Sequence, residues 1–341
     1  MPETEPGAQP GAQPGAQPGA HPDVLPVRGT TGGAPSPAAP TGVSVGTEAI
    51  AMHEAATSSR SQLRIVASRF FRHKLALSGL VIFLILLFGS LIIPYFWTYS
   101  SAAITSQFAT GPSAAHPFGT DLIGHDMLAQ VLAGTLTSIE TALLVAVIST
   151  VIGTLVGALA GYYGGIIDQA LMRLTDLVLV VPLLAILLVL SNKFSKQADS
   201  QLFVGLLLAL LFWTYLARLI RGTFLSLRER EFIEAEHAIG ASTWRIIMVH
   251  MVPNAAGSIV VNGTLTVAGS MLTEALLSFL GLGIQPPQVD LGSLIAAGEG
   301  DAVSLPWLFY FPSVFLVLAI LVVNFIGDGL RDALDPTQRG R

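Results

Sequence analysis

Leu75-Ala76-Leu77-Ser78-Gly79-Leu80-Val81-Ile82-Phe83-Leu84-Ile85-Leu86-Leu87-Phe88-Gly89-Ser90-Leu91-Ile92-Ile93 is a stretch of nineteen residues without a charge. At 1.5 Å of rise per residue it makes a helix of about 28 Å, close to the hydrocarbon thickness of a bilayer. It is too long, and begins too far into the chain, to be a signal peptide. Working outward from it, five more uncharged runs follow: Thr141–Ile167, Leu177–Leu190, Leu202–Ala217, Val252–Thr273 and Trp307–Gly327. The third and fourth runs of the six are short, and the third reaches back through Arg173 and Asp176 to gain length. The pattern predicts an all-α integral membrane protein with six transmembrane helices.

Composition agrees. Of 341 residues, 52% are hydrophobic and 11% charged, against about 25% charged in a soluble domain. That excludes an ordinary soluble enzyme and a wholly disordered chain. There is no cysteine, hence no disulfide, thiolate metal site or cysteine nucleophile in this chain. The net charge of -5 gives no support to nucleic-acid binding. No Gly-x-x-x-x-Gly-Lys phosphate loop occurs, nor even a Gly-Lys dipeptide, so nucleotide hydrolysis is not expected of this polypeptide. The mid-span acids of an ion-coupled carrier are scarce, and no clustered catalytic set of a membrane enzyme stands out. Transport energy would then enter from another protein.

The flanks set the orientation. Residues 1–58 carry a Pro-Gly-Ala-Gln repeat, starting at Pro6, Pro10 and Pro14 and degenerating at Pro18; such a tract reads as a disordered cytoplasmic tail. Residues 59–74 interleave Arg60, Arg64, Arg69, Arg72 and Lys74 with Leu63, Ile65, Val66, Phe70 and Phe71, the pattern of a basic amphipathic segment at a membrane surface. With an inside N-terminus, fifteen of the seventeen basic residues fall on inside segments, and only Lys193 and Lys196 fall outside. That asymmetry puts both termini in the cytoplasm. Gly153, Gly157, Gly161 and Gly165, four apart, form a small-residue ridge for close helix approach. It could serve this chain or a partner subunit.

The chemistry sits in the cytoplasmic loop between spans four and five, residues 222–252. It contains Arg230-Glu231-Phe232-Ile233-Glu234-Ala235-Glu236-His237-Ala238-Ile239-Gly240-Ala241-Ser242-Thr243-Trp244-Arg245. Arg230 and Glu234 have i,i+4 spacing, Phe232, Ile233, Ala235 and Ile239 supply an apolar face, and Gly240 reads as a helix stop. Ser242 or Thr243 would cap a second short helix, and Pro253 stands where the fifth span would begin. Helix, glycine turn, helix and membrane make a shape suited to a groove in a partner protein.

Glu234-Ala235, Gly240 and then His250-Met251-Val252-Pro253-Asn254 resemble the cytoplasmic loop motif of ABC importer permeases. More closely, residues 70–336 resemble the C-type permease of dipeptide/oligopeptide (peptide/nickel) importers. Three further stretches carry the likeness. His116-Pro117-Phe118-Gly119-Thr120-Asp121 precedes Gly124-His125-Asp126. Gly157 to Gly165 leads into Met172-Arg173-Leu174-Thr175-Asp176. Glu274 to Pro287, read as EALLSFLGLGIQPP, comes before Gly327 to Pro336. The resemblance implies a type I ABC importer permease fold over residues 75–336, in the bacterial plasma membrane. It implies a sister permease completing a heterodimer, two cytoplasmic ATPases that bind ATP and Mg, and an extracytoplasmic substrate-binding protein. This chain itself would hold no cofactor or metal and catalyse no reaction. Di- or oligopeptides are the implied cargo, with nickel or haem as alternatives within the family and an ion-coupled carrier as a more distant one.

By the same resemblance the ATPase-coupling residues are Glu234, Ala235, Glu236, Gly240, Ala241, His250, Pro253 and Asn254. Glu236 stands where the family motif usually carries a second alanine, and is expected to be solvated or paired with an ATPase cation. His125 replaces the usual arginine of the outer motif. Glu274 and Ser278 are candidates for the translocation pathway or for helix packing. Arg173 and Asp176 read as an i,i+3 ion pair. His116, His125, Asp121 and Asp126 have no metal-site spacing and read as a folded loop. Tyr95, Trp97 and Trp307 read as interfacial anchors.

Overall fold

A computed structural model of the chain describes residues 64–180 and 200–334, together with Pro182, Ala185, Ile186 and Val189. The N-terminal tail 1–58 and the start of the basic segment, as far as residue 63, lie outside the described residues. Among those described, regular structure is helical, apart from two isolated antiparallel bridges, Ile104 with His125 and Thr120 with Asp126.

The helices are α1 (Lys74–Phe96), α2 (Met127–Tyr163), α3 (Gly165–Val180), α4 (Ser200–Arg228), α5 (Glu231–Ala238), α6 (Thr243–Phe279), α7 (Leu291–Glu299) and α8 (Pro306–Leu334). Five of them, α1, α2, α4, α6 and α8, are long and apolar enough to cross a membrane. The remaining expected span, over Leu177–Leu190, lies partly outside the described residues, and α3 leads into it.

The decisive run 75–93 lies within α1, which starts where His73 Nδ1 accepts the Ala76 N–H at 3.1 Å. Before it, residues 64–72 are helical; Phe70 is buried against Ala76 and Ala333, while Ile65 and Phe71 stay exposed.

Helix α2 departs from the sequence reading at both ends. It starts fourteen residues before Thr141, because Asp126 caps it by accepting the Ala129 N–H at 2.8 Å. It stops at Gly164, whose φ of 65° lies in the left-handed region, so residues 165–167 belong to α3. The glycine ridge is correspondingly three residues rather than four. Gly153, Gly157 and Gly161 lie against α4: a Cβ on Gly157 would be 2.5 Å from the Ala217 carbonyl oxygen, and one on Gly161 2.6 Å from Phe224 Cβ. Gly165 has φ 54°, and a Cβ there would meet nothing. The ridge therefore serves packing within the chain. Gly157→Val is expected to lower stability by about 1–3 kcal/mol through overpacking. The readout is the thermal midpoint in detergent, with Gly222→Val on the open side of α4 as the control. Equal midpoints for the two variants would contradict the close α2–α4 contact.

Helix α4 outruns its uncharged stretch by eleven residues at the C-terminal end. Its arginines find partners: Arg218 Nη2 donates to Asp176 at 2.5 Å, Arg221 grips both carboxyl oxygens of Asp168 at 2.5 and 2.6 Å, and Arg228 donates to the Tyr162 carbonyl at 3.0 Å. Arg173 stands 3.8 Å from Asp176, so the expected i,i+3 pair exists but Arg218 holds that carboxylate more closely.

Besides the cluster of Phe70, Ala76 and Ala333, three apolar clusters form the core. One joins α1, α2, α6, α7 and α8 around Met271, Leu291 and Val322; another joins α2, α4 and α6 around Val145, Leu208 and Leu277. A third, around Phe224, Ile233, Ile246 and Met251, fastens α5 to the adjoining ends of α4 and α6.

Candidate functional site

Helix α5 is short and needs its ends secured. Its first turn carries Glu231 and Glu234, acids that suit the positive end of the helix dipole. Arg230 is extended (φ -87°, ψ 141°) and stands before the helix as its N-cap, so the expected pairing with Glu234 along one helix face does not form.

The C-terminus closes in a Schellman turn. Ile239 is the C-cap, the Gly240 N–H donates to the His237 carbonyl at 3.0 Å, and the Ala241 N–H donates to the Glu236 carbonyl at 3.0 Å. Gly240 has φ 79°, a conformation in which any Cβ is strained. Ser242 then caps the next helix, its Oγ accepting from Arg245 N at 3.4 Å.

The apolar residues of α5 divide between two faces. Ile233 is fully buried. Phe232, Ala235 and Ile239, spaced i, i+3, i+7, point outward; Phe232 is 40% and Ile239 78% exposed. Trp244, Met248 and Val249 continue the exposed apolar surface onto α6. Glu234 and Gly240 are also exposed, and Ala241 is half-buried.

Glu236 behaves differently from the sequence expectation. It turns inward, with Oε1 3.3 Å from His250 Nε2 and its side chain 21% exposed. His250 lies in a π-helical turn, Ile246–Met251. The α-helical part of the span begins at Val252 with Pro253 in its first turn, as expected, and Thr243–Arg245 and the π-helical turn extend the helix upstream of it. Pro253 offers no N–H, and Asn254 Nδ2 reaches back to the His250 carbonyl at 2.6 Å.

At the opposite end of the bundle, Glu274 is fully buried, with Asp290 and Ser138 as polar neighbours, although its carboxyl oxygens make no hydrogen bond of good geometry among the described residues. Ser278 Oγ donates to Asp290, whose other oxygen accepts the Ser293 N–H at 2.8 Å and caps α7. Both Glu274 and Ser278 sit in this packed junction. A separate apolar groove of about 440 Å³ opens between α1, α2, α6 and α8, with Thr150, Gly263 and Thr264 on its walls. Sequence reading missed it, because residues on the wall of such a groove carry the same apolar signature as lipid-facing ones.

The loop between α1 and α2 is a built structure. Asp126, fully buried, accepts from Trp97 Nε1 at 3.1 Å and lies 2.7 Å from His116 Nδ1. His125 Nδ1 is 2.8 Å from Asp121 Oδ2. The two histidines thus join two separate carboxylates, and no group of three or more metal-ligating side chains occurs among the described residues. Trp307 Nε1 donates to the Thr120 carbonyl at 3.1 Å. Trp97 and Trp307 therefore pin this loop, a use the interfacial reading did not include; Tyr95 is 86% exposed.

Comparison with known proteins yields two family models. One, the binding-protein-dependent transport system inner membrane component, matches residues 153–340, and the other, the N-terminal TM domain of oligopeptide transport permease C, matches residues 61–113. Among curated relatives, the oligopeptide transport system permease proteins OppC of Mycobacterium bovis and Mycobacterium tuberculosis are each 42% identical over 284 residues, covering 83% of this chain and 97% of theirs. The protein of the same name from Haemophilus influenzae is 36% identical, covering 82% of this chain and 90% of its own. A solved structure of the MetNI methionine ABC transporter in inward-facing conformations aligns with a TM-score of 0.49 and 19% identity, covering 61% of this chain and 98% of that one.

Proposed function

The chain belongs to the family of binding-protein-dependent ABC importer permeases, on the C-type oligopeptide branch, and from that membership we propose that it imports di- or oligopeptides by alternating access driven through α5. It is a multi-pass protein of the bacterial plasma membrane and a non-catalytic subunit of an ABC importer. A permease of this kind works with ATPase subunits. The partners we assign are a sister permease forming a heterodimer, two cytoplasmic ATPases that hold ATP and Mg, and an extracytoplasmic binding protein. Peptide cargo is supported by the oligopeptide permeases among its relatives.

The proposed topology has six spans and cytoplasmic termini. Its support is the clustering of basic residues near the α5 end, and the fact that α4 starts at the end of the bundle opposite the α2–α3 turn. We assign Glu274 and Ser278 to packing between α6, α2 and the α7 cap, since both are buried there.

One observation carries the coupling role. A short helix pinned from beneath by Ile233 holds Phe232, Ala235 and Ile239 outward as one exposed apolar stripe. Such a stripe at helical spacing is the knob of a helix-in-groove contact, and the groove in question is that of an ATPase. Glu236 faces His250 within the chain and is not part of this stripe.

Co-purification tests this reading. The tagged wild-type chain is expected to retain its ATPases. Ile239→Asp, which places a carboxylate on the most exposed position of the stripe, is expected to reduce the retained ATPase about tenfold or more, as for a hot-spot residue at an interface. Because Ile239 is largely exposed, membrane insertion should be unchanged. Full retention by the variant would remove the stripe from the interface.

A further inference from the structure

Helix α5 is held to the base of α6 at two points of different chemistry. Ile233 is buried among Phe224, Ile246, Ile247 and Met251. Three residues further along the inward face, Glu236 Oε1 stands 3.3 Å from His250 Nε2, the side chains being 21% and 26% exposed. The His250 Nε2 atom is itself shut off from solvent and makes no hydrogen bond among the described residues. The Glu236 carboxylate is thus the polar group it faces.

Building on the reading of α5 as the ATPase-docking helix, we propose that Glu236 and His250 form a latch that makes α5 and the first turns of α6 move as one body. They are positioning residues. The covalent connection between the two helices runs through Gly240, which has a left-handed backbone and open space around it. The two backbone hydrogen bonds of its turn, Gly240 to His237 and Ala241 to Glu236, set the direction of α5 but are few to carry load on their own. The Ile233 contact resists separation, but apolar contact is non-directional, so by itself it is a pivot about which α5 can roll. A second contact away from that pivot, the 3.3 Å approach of Glu236 to His250, opposes the roll. The π-helical turn Ile246–Met251 is the part of α6 that supplies the imidazole, and π turns recur at functional positions in helices. An alanine at 236 makes no such contact, so the latch comes with the acid. Movement imposed on the outward stripe then passes into α6 rather than being absorbed at Gly240.

The experiment uses the complex purified through a tag on this chain, reconstituted in proteoliposomes, with import of labelled tri-alanine read per ATP hydrolysed. E236A and H250A are each expected to lower that ratio about threefold or more, the scale of one partly buried polar side-chain contact, with the ATPases still bound. The swapped pair E236H/H250E is expected to recover most of the ratio, which a purely structural loss would not do. Because the chain has no cysteine, E236C/H250C assembled with cysteine-free partner subunits can be bridged by a short bis-maleimide, and the bridged complex should import peptide better than the unbridged one. An unchanged ratio in both alanine variants overturns the latch, as does import lost on bridging. A wild-type chain that never retains an ATPase overturns the docking reading and the latch with it, and that outcome is distinct from a failure of the latch alone.

Discussion

Gly240→Pro is expected to bring ATP-driven import to background while the protein still inserts in the membrane and the spans still pack. The Schellman turn depends on two features of residue 240: φ of 79° and an N–H donated to the His237 carbonyl. Proline is locked near φ -65° and has no N–H. Both are lost at once, at a cost of about 3 kcal/mol or more, which is more than a single turn between short helices can absorb. The Ala241 to Glu236 bond that completes the motif goes with them. The outward stripe of Phe232, Ala235 and Ile239 then has no fixed direction relative to α6. A Cβ at 240 would meet nothing within 4 Å, so the effect comes from the backbone and not from crowding. That gives the prediction a graded form. Gly240→Asn should stay near wild type, because asparagine tolerates the left-handed region. Gly240→Ala should lose about 1 kcal/mol and part of the import, and Gly240→Pro should lose all of it. Peptide uptake in proteoliposomes and ATP hydrolysis, measured together, would show hydrolysis continuing without uptake. Wild-type uptake by Gly240→Pro would take the turn out of the mechanism.

What could be read in the sequence, and what could not, follows from the range of the interactions concerned. The run from Leu75 to Ile93 announces α1 because lipid asks only for length and apolarity. The Gly240 turn was legible because its bonds join residues within five positions of one another. The uncharged run that ends at Ala217 falls short of the end of α4 because Arg218 and Arg221 interrupt it. They are helical, with their charges met by Asp176 and Asp168, 42 and 53 residues away in sequence. The start of α2 was misjudged because Gln130, Thr135, Ser138 and Glu140 dilute the apolar pattern there, while the cap at Asp126 is what sets the boundary. The inward turn of Glu236 belongs to the same class. The motif marks the acid as unusual, but its partner His250 comes from beyond a turn, and no helical periodicity connects them. The groove beside Thr150 and Gly263 requires four helices to exist at all.

Asp126→Ala is expected to cost about 3 kcal/mol, the largest stability loss of any single substitution in the loop between α1 and α2. The carboxylate is fully buried and serves three groups: the Ala129 N–H at the start of α2, Trp97 Nε1 just past the end of α1, and His116 Nδ1 in the loop. Each tie has a different sequence separation, so one side chain closes the loop, caps a helix and joins two spans. Removal of the cap alone costs about 1 kcal/mol. The greater part comes from leaving the Trp97 and His116 nitrogens without their acceptor in a buried setting, since an unmade bond to a charged group costs more than a neutral one. Asp126→Asn keeps the shape and an acceptor oxygen but must turn its NH2 group toward one of the three donors, so an intermediate loss is expected. The measurement is thermal unfolding in detergent, together with protease cleavage at the loop in right-side-out vesicles. The loop should become cleavable in Asp126→Ala, while the ATPase subunits still co-purify with the chain. An unfolding midpoint unchanged from wild type would mean that water replaces all three partners, and that the buried carboxylate does not hold the two spans together.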